Sequence, residues 1–497
     1  MEKNKSFWTR QACAFVRTGE VIYNNYKDLR DTCRIGNLRK RRIMFELIKR
    51  MISKTTADYA DIRYEMIKET KIVFTGRELF HIGTNSADGF VIRILKNGGF
   101  SSIAFTRPDD AENALRISEE NAALMARHVK NPVTFAATDV IKAIFLPDID
   151  EDPRHVPIEE KLQLTRKYNS IALGHEKIAT TNIRYSEVIR EKYFMSTEGT
   201  EIREDLITTS LGGMITSREG TLTQNVRVAA GGSHGFALLR NQEEEFEKKT
   251  AIALDLLQAT PVSGGEYNVV LNQDMAGVFA HEAFGHFSEA DLIEDSPTMR
   301  DRMKIGAMLG NEVLGITDDP TIPRQLGFYY CDDEGVKARR LPLMKRGVLA
   351  GRLHSRRTAA EFGEGLTGHC VAEDYRYAPI VRMGNIFIEP GENTFEDLLS
   401  MLGDGLYILD HKGGQTSGEN FTFGAQYGYI IKGGKKRTMV RDINISGNLY
   451  HTLKNITAVG NDLCLSKTGG CGKGQTNIRS CHGGPHIRIN NVIIGGI

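Results

Sequence analysis

The chain has 497 residues, 64 Lys/Arg against 63 Asp/Glu, 40% apolar residues and 50 glycines, which excludes a disordered or fibrous protein and describes a globular one rich in turns. A net charge of +1 gives no general reason to expect nucleic acid or an anionic membrane as partner. No apolar run approaches the roughly 18 residues of a bilayer span and no start reads as a secretion signal, so the expectation is a cytoplasmic protein of two or three packed units.

Residues 1–43 differ from the rest: eleven Lys/Arg against four Asp/Glu give them +7 and leave −6 for the remainder. We expect them to be a basic extension, disordered or a translation start placed too early, with the folded chain beginning at Met44. A first region, 44–130, opens on a helix, "MFELIKRMISKT", and continues as an antiparallel meander in which apolar and polar residues alternate between Gly-containing turns. A helix over 107–130 closes it, its acidic residues early, as the helix dipole favours.

A central region, 131–262, offers a helix at 158–176, then alternating segments joined by "EGTE" and "REGT" turns that predict a second sheet, then a helix over 243–260. "PVSGGEY" reads as a linker. The last region, 263–497, starts with a strand, "YNVVLN", and a helix over 274–293 capped by Asn272 or Asp274. From 311 onward strand signals dominate. The expected fold class is α+β, with mixed or antiparallel sheets, packed helices and a strand-rich C-terminal domain.

The chemistry concentrates in "HEAFGHFSEAD" (281–291). Five steps of 100° point His281 and His286 about 140° apart on a regular helix, too far to share one ion. A π-type turn of about 4.4 residues brings them to within roughly 50°, and Gly285 could ease the distortion. Glu282, His286 and Glu289 share a face, and such a cluster must be solvated, mutually paired or metal-bound. Two incidental histidines on a surface helix remain the competing reading.

Seven cysteines, an odd number in a chain without a secretion signal, favour free thiols or metal ligands over a disulfide framework. Cys464, Cys471, Cys481, His482 and His486 crowd the tail. Cys471, among glycines, suits a third ligand of an open zinc site. A separate zinc knuckle from Cys464, Cys471, Cys481 and His482 is the alternative, although its spacing matches no common finger. "GGCGKGQT" lacks the glycine and Ser/Thr positions of a phosphate loop.

From Met44 to the C-terminus the chain resembles the TldD/PmbA peptidases, specifically the metal-bearing TldD branch. The resemblance rests on "NVVLNQDMAGVFAHEAFGHFSEAD", "YYCDDEG", "GVLAGRLHSRRTAAEFG", "DYRYAPIVRMGNIFIEPG", "DGLYILDHKGGQTSGENFTFGAQYGYII", "AVGNDL" and "GGCGKGQ", in the family's order. It implies Zn²⁺ held by His281, His286 and Cys471, with Glu282 as catalytic glutamate, in a peptidase acting on unfolded peptides and in some members trimming leader segments. It also implies a dimer: a heterodimer with a PmbA/TldE-like subunit, or else a homodimer.

Other residues carry weaker expectations. Glu289 and Asp291 could orient a ligand histidine; Tyr375, Arg376 and Arg382 could contact substrate or the oxyanion, or serve turns and interfaces. His354 and His369 have no assignment. Against the peptidase stands a non-catalytic peptide-binding scaffold with a structural zinc, which would need a fourth protein ligand such as Cys481 or His482.

Overall fold

The computed structural model describes residues 32–495. Its first helix, α1 (Thr32–Lys54), begins twelve residues ahead of the expected start at Met44. The upstream turns have acidic partners on the neighbouring sheet: Lys40 pairs with Asp88 at 3.0 Å, and Arg41 pairs with Glu191. The expected extension is therefore helical from Thr32 onward, and the rest of it, residues 1–31, lies outside the described residues. Met44, Leu47, Ile48 and Met51, at helical spacing, bury the inner face of α1.

Beyond α1, the strands β1 (Tyr59–Thr75), β2 (Glu78–Lys96) and β3 (Gly99–Phe105) form the expected meander, and α2 (Ala111–Ala126) packs on it. After β4 (Lys142–Phe145) and α3 (Ile158–Leu173) come the long strands β5 (Ile178–Ser196), β6 (Glu201–Glu219) and β7 (Leu222–Gly232), then α4 (Glu243–Asp255). The expected second sheet is not separate. β5 pairs with β1 from Asp61↔Ser196 to Thr75↔Asn182, so both regions build one seven-stranded sheet, β3-β2-β1-β5-β6-β4, with β7 also on β6. Alternation identifies each strand but not its partner more than a hundred residues away.

The segment read as a linker is largely paired: β8 (Thr260–Pro261) and β9 (Gly265–Leu271) belong to an eight-stranded sheet of the C-terminal region. Within it β9, Ile487–Gly495, Ile443–Asn448, Asn420–Lys432 and Gly405–Ser417 pair in a closed ring. A six-stranded sheet includes Ile316–Asp318, Asn385–Ile388 and Cys481–Gly484. Strand signals from 311 onward conceal three helices, at Arg356–Phe362, Phe395–Leu402 and Leu449–Asn455.

The helix α5 (Gln273–Val278) lies between these two sheets, touching Gly405–Ser417 on one and Cys481–Gly484 on the other. Met275, Val278, Phe279 and Phe284 join the largest apolar core, with Ile386, Ile408 and Phe421. The site thus rests on a segment fixed from both sides. No helix among the described residues is long and apolar enough to cross a membrane.

Candidate metal centre

Asn272 caps α5, its side chain accepting from the Met275 N–H at 3.1 Å. The α-helical pitch lasts only to Val278. Residues Phe279–Gly285 form a π-helical turn, and His286–Ser288 tighten into a 3₁₀ turn. This over-wide turn brings His281 and His286 onto one side, with ring centroids 5.3 Å apart and the planes nearly perpendicular.

Gly285 serves this turn differently from the expectation. Its φ of −56° and ψ of −47° are ordinary helical values, so it relieves no backbone strain. A Cβ there would come to 2.1 Å from Met383 Sδ and 2.9 Å from Ile386 Cδ1. The missing side chain lets the strand Asn385–Ile388 and its approach close against the turn.

Cys471 arrives on a hairpin. Its N–H and C=O both bond to Ile478 at 3.0 Å, and the Gly470 N–H bonds to Ser480 O. Its Sγ stands 3.6 Å from His286 Nε2, and Glu282 Oε2 stands 3.7 Å from the same nitrogen. His281, Glu282, His286 and Cys471 each offer one ligand atom, and all four atoms lie within 4.8 Å of one another. Tetrahedral ligands at about 2.0–2.3 Å from one Zn²⁺ stand about 3.3–3.8 Å apart, and the 3.6 Å between Cys471 Sγ and His286 Nε2 falls in that range.

The electrostatics suit a cation. Burial, reinforced by His286 and His482, pushes His281 well below the usual imidazole range and keeps it neutral. Its Nδ1 is buried without a hydrogen-bond partner, an orphan of the kind a ligand explains. Burial also opposes charge on His286, but the Cys471 thiol and the Glu289 carboxylate hold it up at about 9. Clustered thiol, carboxylate and imidazoles are a donor set for a borderline-soft divalent ion.

Behind the group, Glu289 Oε2 lies 3.4 Å from His286 Nδ1, placed to fix that ring with Nε2 facing the centre. Burial would raise the Glu289 carboxyl, but His286, Arg382 and Lys473 hold it low. Lys473 donates to Glu289 at 2.9 Å, to Asp291 at 2.8 Å and to Val381 O at 2.8 Å. Asp291 thus clamps the loop rather than a histidine. Arg382 is fully buried with Nη1 3.3 Å from Glu289 Oε1. Tyr375 and Arg376 line a cavity beside the Cys471 loop.

Other candidates sit apart. Cys464 and Cys481 join no metal-sized group among the described residues, so the separate knuckle is not assembled, and neither Cys481 nor His482 completes the set around His281. His354, His369 and His486 are buried and satisfied, by Thr358 and Glu364, by Thr367 and Asp318, and by Tyr407 and Asp462 respectively. A second group, Asp274, His411 and His482, was missed from sequence. Arg227 reaches His411 Nε2 at 3.2 Å while His411 Nδ1 donates to Asp274 at 2.6 Å, so His411 is already satisfied on both sides.

Comparison with known proteins gives the class first. Residues 264–496 match the family profile described as PmbA/TldA metallopeptidase C-terminal domain, residues 151–259 the central domain and residues 60–125 domain 1. These are metallopeptidase modules over most of the chain.

A metalloprotease of Synechocystis sp. is 35% identical over 455 residues, 91% of this chain and 97% of that protein. A zinc metalloprotease TldD homolog of Saccharolobus solfataricus is 28% identical, covering 91% of this chain and all of that one. The chain belongs to the PmbA/TldD metallopeptidase family. Its fold also matches the crystal structure of TldE from Thermococcus kodakarensis, with a TM-score of 0.74 at 18% identity over 91% of this chain and 100% of that chain.

Proposed function

We propose that the chain is a zinc-dependent peptidase hydrolysing unfolded peptides, with His281, His286 and Cys471 as the metal ligands and Glu282 as the catalytic base. The observation that carries this reading is the π turn at Phe279–Gly285, which gathers two histidines five residues apart around a thiol 185 residues further along. Imidazole and thiolate donors suit zinc, and the S. solfataricus relative carries zinc in its name.

When bound, Zn²⁺ supplies Lewis acidity that polarises the peptide carbonyl and lowers the pKa of water. Glu282, about a quarter exposed, accepts a proton from the attacking water as the new C–O bond forms. As the C–N bond breaks it returns that proton to the leaving amine. Glu289 keeps the His286 ring turned toward the centre throughout, and Lys473 keeps the Cys471 loop against it.

Unfolded substrates fit because an extended peptide can pair with backbone groups at a sheet edge, without a side-chain code. Removal of leader peptides is the same reaction on such a substrate. We place the protein in the cytoplasm, where the thiols Cys331, Cys370, Cys464, Cys471 and Cys481, all free, remain reduced. Its working form in this reading is a heterodimer with a PmbA/TldE-like subunit, with a homodimer as the second choice; the shared TldE fold supports that pairing.

The test measures bound zinc and cleavage of an unstructured peptide in wild type, Glu282→Gln and Cys471→Ser, with and without a PmbA-like partner. Glu282→Gln is expected to retain zinc and lose at least about a hundredfold in rate, the scale of one general base; Cys471→Ser is expected to lose zinc. Equal cleavage by wild type and Glu282→Gln would refute the mechanism, and unchanged zinc in Cys471→Ser would move the third ligand elsewhere.

A further inference from the structure

Arg382 is the charge beside the metal centre with the poorest set of partners. Its side chain is 0% exposed, and the one carboxylate within ion-pair distance among the described residues, Glu289, lies 3.3 Å from Nη1. That contact lacks hydrogen-bond geometry: Nε, Nη1 and Nη2 are all buried without a hydrogen-bond partner, and so is Glu289 Oε1. A guanidinium carries five N–H donors, and leaving them unmet in the interior is costly. Arg356, nearly as buried, shows the usual solution, with donation to Ala136 O and to both oxygens of Glu198, each at 2.8 Å.

The backbone sets this side chain against both halves of the centre. On one side of it, Val381 O accepts from Lys473 Nζ, two residues beyond Cys471, at 2.8 Å. On the other, Met383 Sδ packs where a Cβ on Gly285 of the π turn would stand. The Arg382 N–H donates to His369 O at 2.8 Å, which pins the stretch between them. The guanidinium reaches Glu289 Oε1; the other oxygen of Glu289 lies 3.4 Å from His286 Nδ1, and the far nitrogen of that ring faces Cys471 Sγ at 3.6 Å. Burial opposes the charge on Arg382, but Glu289 and then Cys471 hold its pKa above the ordinary value, and Arg382 in turn helps to keep His281 neutral.

Cys471 offers what the guanidinium lacks. A thiol that coordinates a divalent cation gives up its proton, and its sulfur then carries negative charge with lone pairs left over from the metal bond. A thiolate also gives a metal more charge than an imidazole does, which weakens the Lewis acidity a peptidase needs. A charged N–H donor on the sulfur draws part of that charge back and fixes the sulfur in place, as groups behind a ligand commonly do.

We propose that Arg382 is a positioning residue that donates a hydrogen bond to the Cys471 thiolate, holding the sulfur on the metal and limiting the charge it gives up. The inference deepens the peptidase reading and rests on it, since it takes Cys471 as a ligand. Glu289 then has two tasks, steadying the His286 ring through one oxygen and the guanidinium through the other. The effect of Arg382 on the reaction passes through the sulfur.

The test loads the full chain with Co²⁺ in place of zinc and reads the thiolate-to-Co²⁺ charge-transfer band in the near ultraviolet, whose energy reports how tightly the sulfur lone pair is held. Loss of an N–H donor raises that lone pair, so Arg382→Met is expected to move the band to longer wavelength. Arg382→Met also strands the Glu289 carboxylate. A second comparison therefore covers a failure to fold: Arg382→Met combined with Glu289→Gln against Glu289→Gln alone, with the same shift expected between them. Arg382→Lys keeps the charge but has no fork to bridge Glu289 and the sulfur, and it is expected to shift the band in the same direction.

A role confined to packing would lower Tm and Co²⁺ affinity and leave the band where it stands. An unshifted band in folded Arg382→Met, or in the double variant relative to Glu289→Gln, would thus overturn the proposal. So would a shifted band in Arg382→Met beside an unshifted one in Arg382→Lys, because charge alone would then act on the sulfur. Absence of any such band in wild type, or its survival in Cys471→Ser, would remove Cys471 from the ligand set and overturn the metal assignment together with the proposal. The spectrum is read whether or not the protein cleaves a peptide, so failure of the hydrogen bond and failure of the peptidase reading are told apart.

Discussion

Lys473 shows how a single side chain can hold the proposed ligand Cys471 in place. An ammonium group has three hydrogens, and here all three meet oxygens: Glu289, Asp291 and the Val381 carbonyl. Lys473→Met would leave the buried Glu289 and the half-buried Asp291 without the cation they share and release the Cys471 loop from the helix it meets. Zinc affinity, measured by competition with a chromophoric chelator, is expected to fall about 10- to 100-fold, the usual cost of losing support behind a metal ligand. Unchanged affinity would mean that the hairpin alone positions Cys471. His281, Glu282, His286 and Cys471 could be picked out of the sequence because histidines and thiols at defined spacing are rare and chemically specific. Lys473 and His411 could not, because a lone lysine or histidine carries no local signal when its partners lie 92 to 184 residues away, and Arg382, singled out for substrate or the oxyanion, carried no sign of its pairing with Glu289.

The π turn is the element on which the site depends, and its existence followed from the sequence while its cause did not. A five-residue interval between two converging histidines demands about 4.4 residues per turn, whatever holds the turn open. What holds it is packing. Met383 and Ile386 press against Gly285 where a methyl would stand, and Thr416 Oγ1 donates to Glu282 O at 2.9 Å. Gly285→Ala would insert a Cβ into this contact, and overpacking a core of this kind costs about 1–3 kcal/mol. The expected outcome is a lower Tm together with weaker zinc binding, because the turn that carries His286 must shift. A variant with wild-type Tm and zinc affinity would show that the strand gives way and that the turn does not depend on this contact. The same limit explains the missed sheet: alternation in β1 and β5 marks strands, but their pairing across the chain is set by burial that no local pattern contains.

At the scale of the molecule, the N-terminal sheet and the C-terminal domain meet through buried charge, and the segment "CDDEG" supplies most of the acid. Asp333 accepts from Lys192 at 2.8 Å and faces Arg63, while Glu334 accepts from Arg93 at 2.7 Å. Asp332 instead accepts only backbone N–H groups, from Glu334, Val336 and Cys370. Burial would raise both aspartates. Arg63, Lys192 and Arg190 reverse this for Asp333 and hold it low, whereas burial and the Glu334 carboxylate push Asp332 up to about 8. The two therefore act oppositely on stability. Asp333 contributes above the ordinary carboxyl range, and its contribution is lost as pH falls through its depressed folded value. Asp332 keeps a proton in the folded state that the unfolded chain releases near pH 4, so from about pH 4 to 8 its share of stability declines as pH rises. Asp332→Asn keeps an oxygen for the Glu334 and Val336 amides and removes the titration. The fall in Tm between pH 5 and 8 is expected to be shallower in Asp332→Asn than in wild type. Parallel slopes in the two proteins would mean that Asp332 is ionised in the folded interface and that the cations around Asp333 neutralise it as well.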